Sequence, residues 1–184
     1  MIAVSALITV VGLIAIAPAP GTGAILDPCT LLTAADLQQA FPGAGAGKLD
    51  RGQEKQGLLK CVWSYPAGSK YAGGSLFVFT SDDMTETPRE EAADTWALTF
   101  LDPLREDAAK HVRYETLTGV GDQAVAVVER EDKAKGFAIN AAILVVRRGK
   151  QQVAVLSPDL ARRERAEALR ILGELGKAIA RRLS

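Results

Sequence analysis

The chain is short of the residues on which most enzyme sites are built. It has one histidine, His111, and two cysteines, Cys29 and Cys61, with no C-x-x-C spacing. A zinc site wants three or four nitrogen or sulfur ligands, so no metal ligand is assigned. A single histidine allows one His-dependent base at most, and no G-x-S-x-G nucleophile elbow is present. Aromatic residues make up only 5% of the chain, and 22 Lys plus Arg balance 22 Asp plus Glu. A single-stranded nucleic-acid platform needs exposed aromatics beside a basic groove, and a duplex binder needs a net positive footprint. Neither is available, and no nucleic-acid partner is expected.

What is present is apolar. Hydrophobic residues reach 48% of 184, which excludes extended disorder and suffices for one domain with its own core. The first residues, Ile2 to Ala17, form an uncharged apolar run of the kind found in export signals. The run is short for a membrane span of ~20 residues, and no Lys or Arg precedes it. Thr22-Gly23-Ala24 resembles a cleavage site ahead of Ile25. Residues 1–24 are therefore expected to be a signal peptide or an N-terminal membrane anchor, and residues 25–184 a single domain. The expected location is extracytoplasmic, secreted or periplasmic. Membrane contact is expected only through an uncleaved N-terminal segment.

Four roles compete for Cys29. Lipid attachment needs small residues before the cysteine, and Asp27-Pro28 stands there instead. A metal site lacks further ligands. A nucleophile would want a histidine, and nothing in the sequence brings His111 near. A disulfide between Cys29 and Cys61 is the preferred reading, because it suits an exported chain. Closing that loop would stabilise the fold by roughly 3–4 kcal/mol.

Periodicity orders the rest. Thr33 is a helix cap whose hydroxyl suits the amide of Asp36. Leu32, Leu37 and Phe41 supply the apolar side of that helix, and Phe41-Pro42-Gly43 ends it. "GAGAGKLDRGQEKQG" reads as a flexible linker. Its likeness to a phosphate-binding loop fails at Pro42 and Leu49. "LLKCVWSY" and "GGSLFVFTS" read as a hairpin around Pro66–Ser69. A helix follows, with Thr87 as cap, Pro88 in its first turn, Glu90 and Glu91 after it, and a stripe of Ala93, Trp96, Ala97, Phe100, Leu101 and Leu104.

"VRYETL", "QAVAVVER", "GFAINAAILVVRR" and "QQVAVLSP" read as an antiparallel meander with turns at Gly119–Asp122, Asp132–Gly136 and Gly149-Lys150. A long last helix is expected to start at Ser157-Pro158-Asp159, with Leu169, Leu172, Leu175, Ile179 and Leu183 on its apolar face. Gly173 and Gly176 inside it suggest close packing on the sheet. The order excludes a doubly wound sheet and gives an α+β class, one antiparallel sheet packed with helices.

The chemistry-bearing clusters are bland. Asp82, Asp83, Glu86, Glu90, Glu91 and Asp94 lack calcium-loop spacing and read as a solvated face. Gly119-Val120-Gly121 lacks the third glycine of a dinucleotide loop and reads as a turn. Arg162, Arg163, Arg165, Arg170, Arg181 and Arg182 read as the solvated side of the last helix, and Trp63 and Trp96 as core.

"DPCTLLTAADL", followed further on by "CVWSY", resembles the opening of a group of small extracytoplasmic proteins of unknown function, common as lipoproteins in actinobacteria. "GVGDQAVAV", "VVRRGKQQVAVLS" and the closing Ala/Leu/Arg helix are similar to the same group. The resemblance implies a PsbP/Mog1-like α+β sandwich with its two cysteines joined, and it implies no activity. This chain departs from the lipoprotein members in lacking a lipobox. The functional expectation is a non-catalytic exported envelope module that binds a partner protein or a small, mostly apolar ligand between sheet and helices, with no cofactor. The competing expectation is a hydrolase or transferase with a site near His111.

Overall fold

The segment Ala141–Val146 reads AAILVV, with no polar side chain on either face. A strand alternates its side chains between two faces, so such a run is stable only where both faces are covered. It forms the first six residues of β6 (Ala141–Arg148), and all six are buried. The computed structural model describes residues 26–66, 74–81, 87–90, 92, 112–130 and 140–183. Within them, β6 lies inside one antiparallel sheet with β1 (Lys48–Asp50), β2 (Leu58–Tyr65), β3 (Gly74–Ser81), β4 (Tyr114–Thr116), β5 (Gln123–Glu129) and β7 (Gln151–Ser157). The strand order is β1-β2-β3-β7-β6-β5-β4. The fold is thus α+β with a single sheet, as the order of elements in the sequence implies. The β2–β3 hairpin and the β4-to-β7 meander meet at one seam, where Phe77–Thr80 pair with Val153–Leu156.

One face carries Cys61, Trp63, Leu76, Val78, Ala126, Leu144, Val146 and Val155. It is covered by α2 (Arg165–Ala180), through Ile171, Leu172, Leu175 and Ile179, and by the N-terminal segment, through Leu31, Leu37 and Phe41. Burying each such Leu or Ile side chain contributes about 1.5–3 kcal/mol. The opposite face carries Val127, Ile143, Val145, Ala154 and Leu156, with Ala92 and Val112 buried beside them.

The N-terminal segment is fastened as its sequence suggests. α1 (Ala34–Leu37) begins in a capping box: the Asp36 amide donates to the Thr33 hydroxyl at 3.3 Å, and the Thr33 amide donates to the Asp36 carboxylate at 2.7 Å. Cys29 and Cys61 form a disulfide, with their Cα atoms 5.1 Å apart. Cys61 is fully buried.

Several expectations are corrected. The glycine-rich linker contains a strand: β1 pairs with Lys60–Val62 of β2. Lys60 Nζ sits 2.8 Å from the Asp50 carboxylate, which it holds below the usual carboxylate range. Period-two alternation is unreadable in three residues, so the strand left no signal.

The last helix does not begin at Ser157-Pro158-Asp159. The Leu160 amide donates to the Ser157 hydroxyl at 3.4 Å, which starts a 3-10 turn, Leu160–Arg162. Arg163 is extended (φ −77°, ψ 166°), and α2 starts only after Glu164. Asp159 makes no side-chain capping bond; its Oδ2 accepts from the Tyr65 hydroxyl. Arg163 is not on a solvated face but buried, at 8% exposure.

Of the two helix glycines, only Gly176 packs closely: a Cβ there would lie 2.6 Å from Val120 Cγ1, whereas one on Gly173 would meet nothing within 4 Å. Trp63 is core, at 1% exposure. Trp96 and the rest of the stripe from Ala93 to Leu104, the turn residues 67–69, and the turn Asp132–Gly136 lie outside the described residues. Ala92, which that stripe does not include, is fully buried.

Candidate functional site

Two of the meander's turns lie side by side in the register of β5, β6 and β7, and one acidic side chain joins them. Gly119 (φ +71°) and Gly121 (φ +58°) turn the chain between β4 and β5 in a conformation that favours glycine. At Gly121 a side chain is also excluded by space, since a Cβ would fall 2.5 Å from the Arg147 carbonyl oxygen. The next residue, Asp122, donates its amide to that same carbonyl at 2.9 Å. Its carboxylate Oδ2 accepts from the Gly149 amide in the β6–β7 turn at 2.7 Å.

Across from this double turn lies the helical stretch at residues 88–90. Thr87 caps it: the Thr87 amide and hydroxyl donate to Glu90 Oε2 at 2.7 and 2.8 Å. Those two bonds, the amide's first, hold the Glu90 carboxyl below its usual range. The Arg89 guanidinium lies 4.6 Å from the centre of the Tyr114 ring, which fixes this stretch to β4.

Between Pro88 and residues 116–125 opens a cleft of about 500 Å³. Pro88, Leu117, Val120, Ala124 and Val125 give it apolar walls, and Thr116, Thr118, Asp122 and Gln123 add polar groups. The "GVGDQ" segment is therefore a turn, as its sequence implies, but a turn that forms one wall of a cleft. The acidic residues Asp82, Asp83, Glu86, Glu91 and Asp94 lie outside the described residues, as does His111. No group of three potential metal ligands occurs among the described residues.

Two buried polar clusters lie elsewhere and tie segments together. The Tyr65 hydroxyl donates to Asp159 Oδ2 at 2.5 Å. Burial, then the bond to Asp159, pushes the phenol well above its ordinary value of 10.0. Arg163 lies 5.6 Å from the centre of the Phe41 ring and donates to the Ala40 carbonyl at 2.5 Å and to Glu167 at 3.2 Å. The Arg163 carbonyl in turn accepts from Arg130. The other arginines at this end also have partners: Arg170 with Glu174 at 2.7 Å, Arg165 with Glu115 at 3.1 Å, and Arg182 with Asp36 at 2.9 Å.

One buried polar side chain is not so used. Gln152 is 4% exposed, and among the described residues neither its amide oxygen nor its nitrogen has a hydrogen-bond partner. The sequence carries a signal for it. In "QQVAVLS", Gln152 shares a face with Ala154 and Leu156, so a polar group is spaced onto an apolar row.

Comparison with known protein families, with curated proteins and with solved structures finds no match for this chain. What the arrangement offers chemically is a pre-formed recess with apolar walls and a few polar groups, the general constitution of a small-molecule site. No nucleophile–base pair faces it among the described residues.

Proposed function

We propose that this chain is an exported protein of the cell envelope that binds a small, mostly apolar molecule in the cleft beside Pro88 without transforming it. The observation that carries this reading is the cleft itself. Its volume of about 500 Å³ falls within the ~300–1,000 Å³ range of small-ligand pockets. Its one carboxylate among the described residues, Asp122, is engaged in holding the two turns together.

The disulfide suits an oxidising compartment. The apolar run Ile2–Ala17 and the likeness of "DPCTLLTAADL…CVWSY" to small extracytoplasmic proteins support the same address.

The test uses a neutral fluorophore, N-phenyl-1-naphthylamine, titrated into the protein. Saturable enhancement that is lost in Thr116→Trp, which places a large ring at the exposed cleft margin, is the expected result. Equal binding by that variant removes the cleft from the proposal. Turnover on a panel of esters and amides that disappears in His111→Ala removes the non-catalytic reading. Mass spectrometry of protein from its native cell should find a mature chain starting at Ile25 with no free thiol. An intact leader with two free thiols overturns export.

A further inference from the structure

We infer that one end of the domain, formed by the β6–β7 turn and the close of α2, docks on a bilayer surface rich in anionic lipid. This contact is separate from the cleft and its ligand, and from any made by the apolar run Ile2–Ala17. Five cations gather at this end: Arg147, Arg148 and Lys150 flank Gly149 in the turn, and Lys177 and Arg181 close α2. Arg148 donates to the Ala180 carbonyl at 2.6 Å, which brings the turn and the helix end together. Arg147 is half-buried and the other four are exposed.

None of the five meets a carboxylate among the described residues. Arg165, Arg170 and Arg182, by contrast, pair with Glu115, Glu174 and Asp36. Cations suit the negative end of a helix, which accounts for Lys177 and Arg181 but not for three more on the adjoining turn. The Asp122 carboxylate also reaches this turn, where it accepts from the Gly149 amide at 2.7 Å. The balance there stays positive. The whole chain is neutral, so this is a local field and not a general excess.

The amino-terminal side of the chain arrives at the same end. Thr80, near the end of β3, lies opposite Val153, near the start of β7 and close to the basic turn. The Thr80 hydroxyl donates to the Leu26 carbonyl at 2.5 Å, and Arg182 donates to the Leu31 carbonyl at 3.2 Å. The residues before Leu26 therefore join the domain at its basic end. Only residues 18–25 separate Leu26 from the apolar run, a reach of at most about 29 Å when extended. A leader held in a bilayer keeps this end within that distance of the headgroups. The partner that fits is therefore a lipid surface and not a soluble polyanion. Each Lys or Arg near an anionic leaflet raises partitioning about fivefold.

The experiment sediments the chain from Ile25 to Ser184 with vesicles of phosphatidylcholine, alone or mixed with phosphatidylglycerol. The mixed vesicles are expected to bind about a hundredfold or more tightly, and raised salt should release the protein. Lys150→Gln/Lys177→Gln/Arg181→Gln, at three exposed positions, should bring binding close to the level of phosphatidylcholine alone. Lys150→Gln by itself should weaken it about fivefold. Lys48→Gln/Arg113→Gln/Arg162→Gln removes the same charge away from this end and should bind as the native chain does. Binding that ignores lipid charge, or an equal loss in the two triple variants, overturns the docking surface. Binding of soluble polyglycerol phosphate without binding of the mixed vesicles replaces the lipid by a polymer and overturns the inference as well.

Discussion

Gly47 lies so close to Cys61 that a Cβ on the glycine would sit 2.5 Å from the cysteine sulfur, and 2.6 Å from Trp63 Cε2. The covalent link, the buried indole and the entry to β1 therefore share one small volume. A glycine is needed there for space rather than for backbone freedom.

Gly47→Ala should destabilise the protein by about 1–3 kcal/mol, the usual cost of overfilling a packed core. The urea midpoint measures this. An unchanged midpoint would show that β1 can move away from the sulfur without loss.

Opening the disulfide should cost more. The bond closes a loop with a sequence separation of 32, for which the chain-entropy account gives roughly 3–4 kcal/mol. Cys29→Ser/Cys61→Ser, compared with the native protein in urea with and without reductant, should show that loss. Reductant should leave the double variant unaffected.

The two glycines of α2 should respond in opposite directions to alanine. Gly173→Ala should stabilise by about 1 kcal/mol through helix propensity alone, because space is open there. Gly176→Ala should destabilise by about 1–3 kcal/mol, because its Cβ would strike Val120 and crowd Leu144. Thermal melts of the two variants side by side decide the matter.

Tyr65 should report on folding through its ionisation. Burial and Asp159 raise the phenol's value in the folded protein above the ordinary 10.0. The folded state then holds its proton more tightly than the unfolded state. The resulting stability is fully present below pH 10 and is lost as the pH rises from there towards the folded value. Absorbance at alkaline pH should show one tyrosine that ionises only with unfolding, and Tyr65→Phe should remove that component. The same substitution leaves Asp159 without its donor, at a cost of about 1–3 kcal/mol near neutrality.

Asp36 works at the acid end. Burial by itself would raise its value, but the Thr33 hydroxyl and amide and the Arg182 guanidinium together hold it below the ordinary 3.8. Its stabilisation is present above that ordinary value and fades as the pH falls through the folded one. Asp36→Asn should cost about 0.5–2 kcal/mol at pH 7, as loss of a cap does. The gap between variant and native protein should shrink by pH 2.5 in urea titrations.

Much of the sheet was legible because its strands carry strong patterns. The pairing of Leu58–Tyr65 with Gly74–Ser81 and the meander through Gln123–Glu129, Ala141–Arg148 and Gln151–Ser157 follow from β-branched runs divided by glycine turns. Thr33 and Thr87 were legible as caps because each has an acid three residues later.

β1 was hidden, since a three-residue edge strand has no period. The buried place of Arg163 was hidden too. Its partners, Phe41 and the Ala40 carbonyl, are far away in sequence, and nothing local separates it from Arg162. The cleft was half-legible. The turn at Gly119–Asp122 could be read, but its stitching to Gly149 and its position opposite Pro88 are products of the assembled sheet.

The seam between β3 and β7 also governs assembly. On a chain that emerges amino end first, β2 and β3 can zip together at once, and the sulfur bridge can lock them to the segment before them. The outer edge of β3 then has no mate until Val153–Leu156 arrive, near the end of the chain. Through that interval the ribbon presents bare main-chain donors and acceptors between Phe77 and Thr80, the kind of margin to which a foreign strand adheres. The young molecule is therefore most prone to stray self-association just before its last strand is delivered, and a holding chaperone acting on it should recognise that margin.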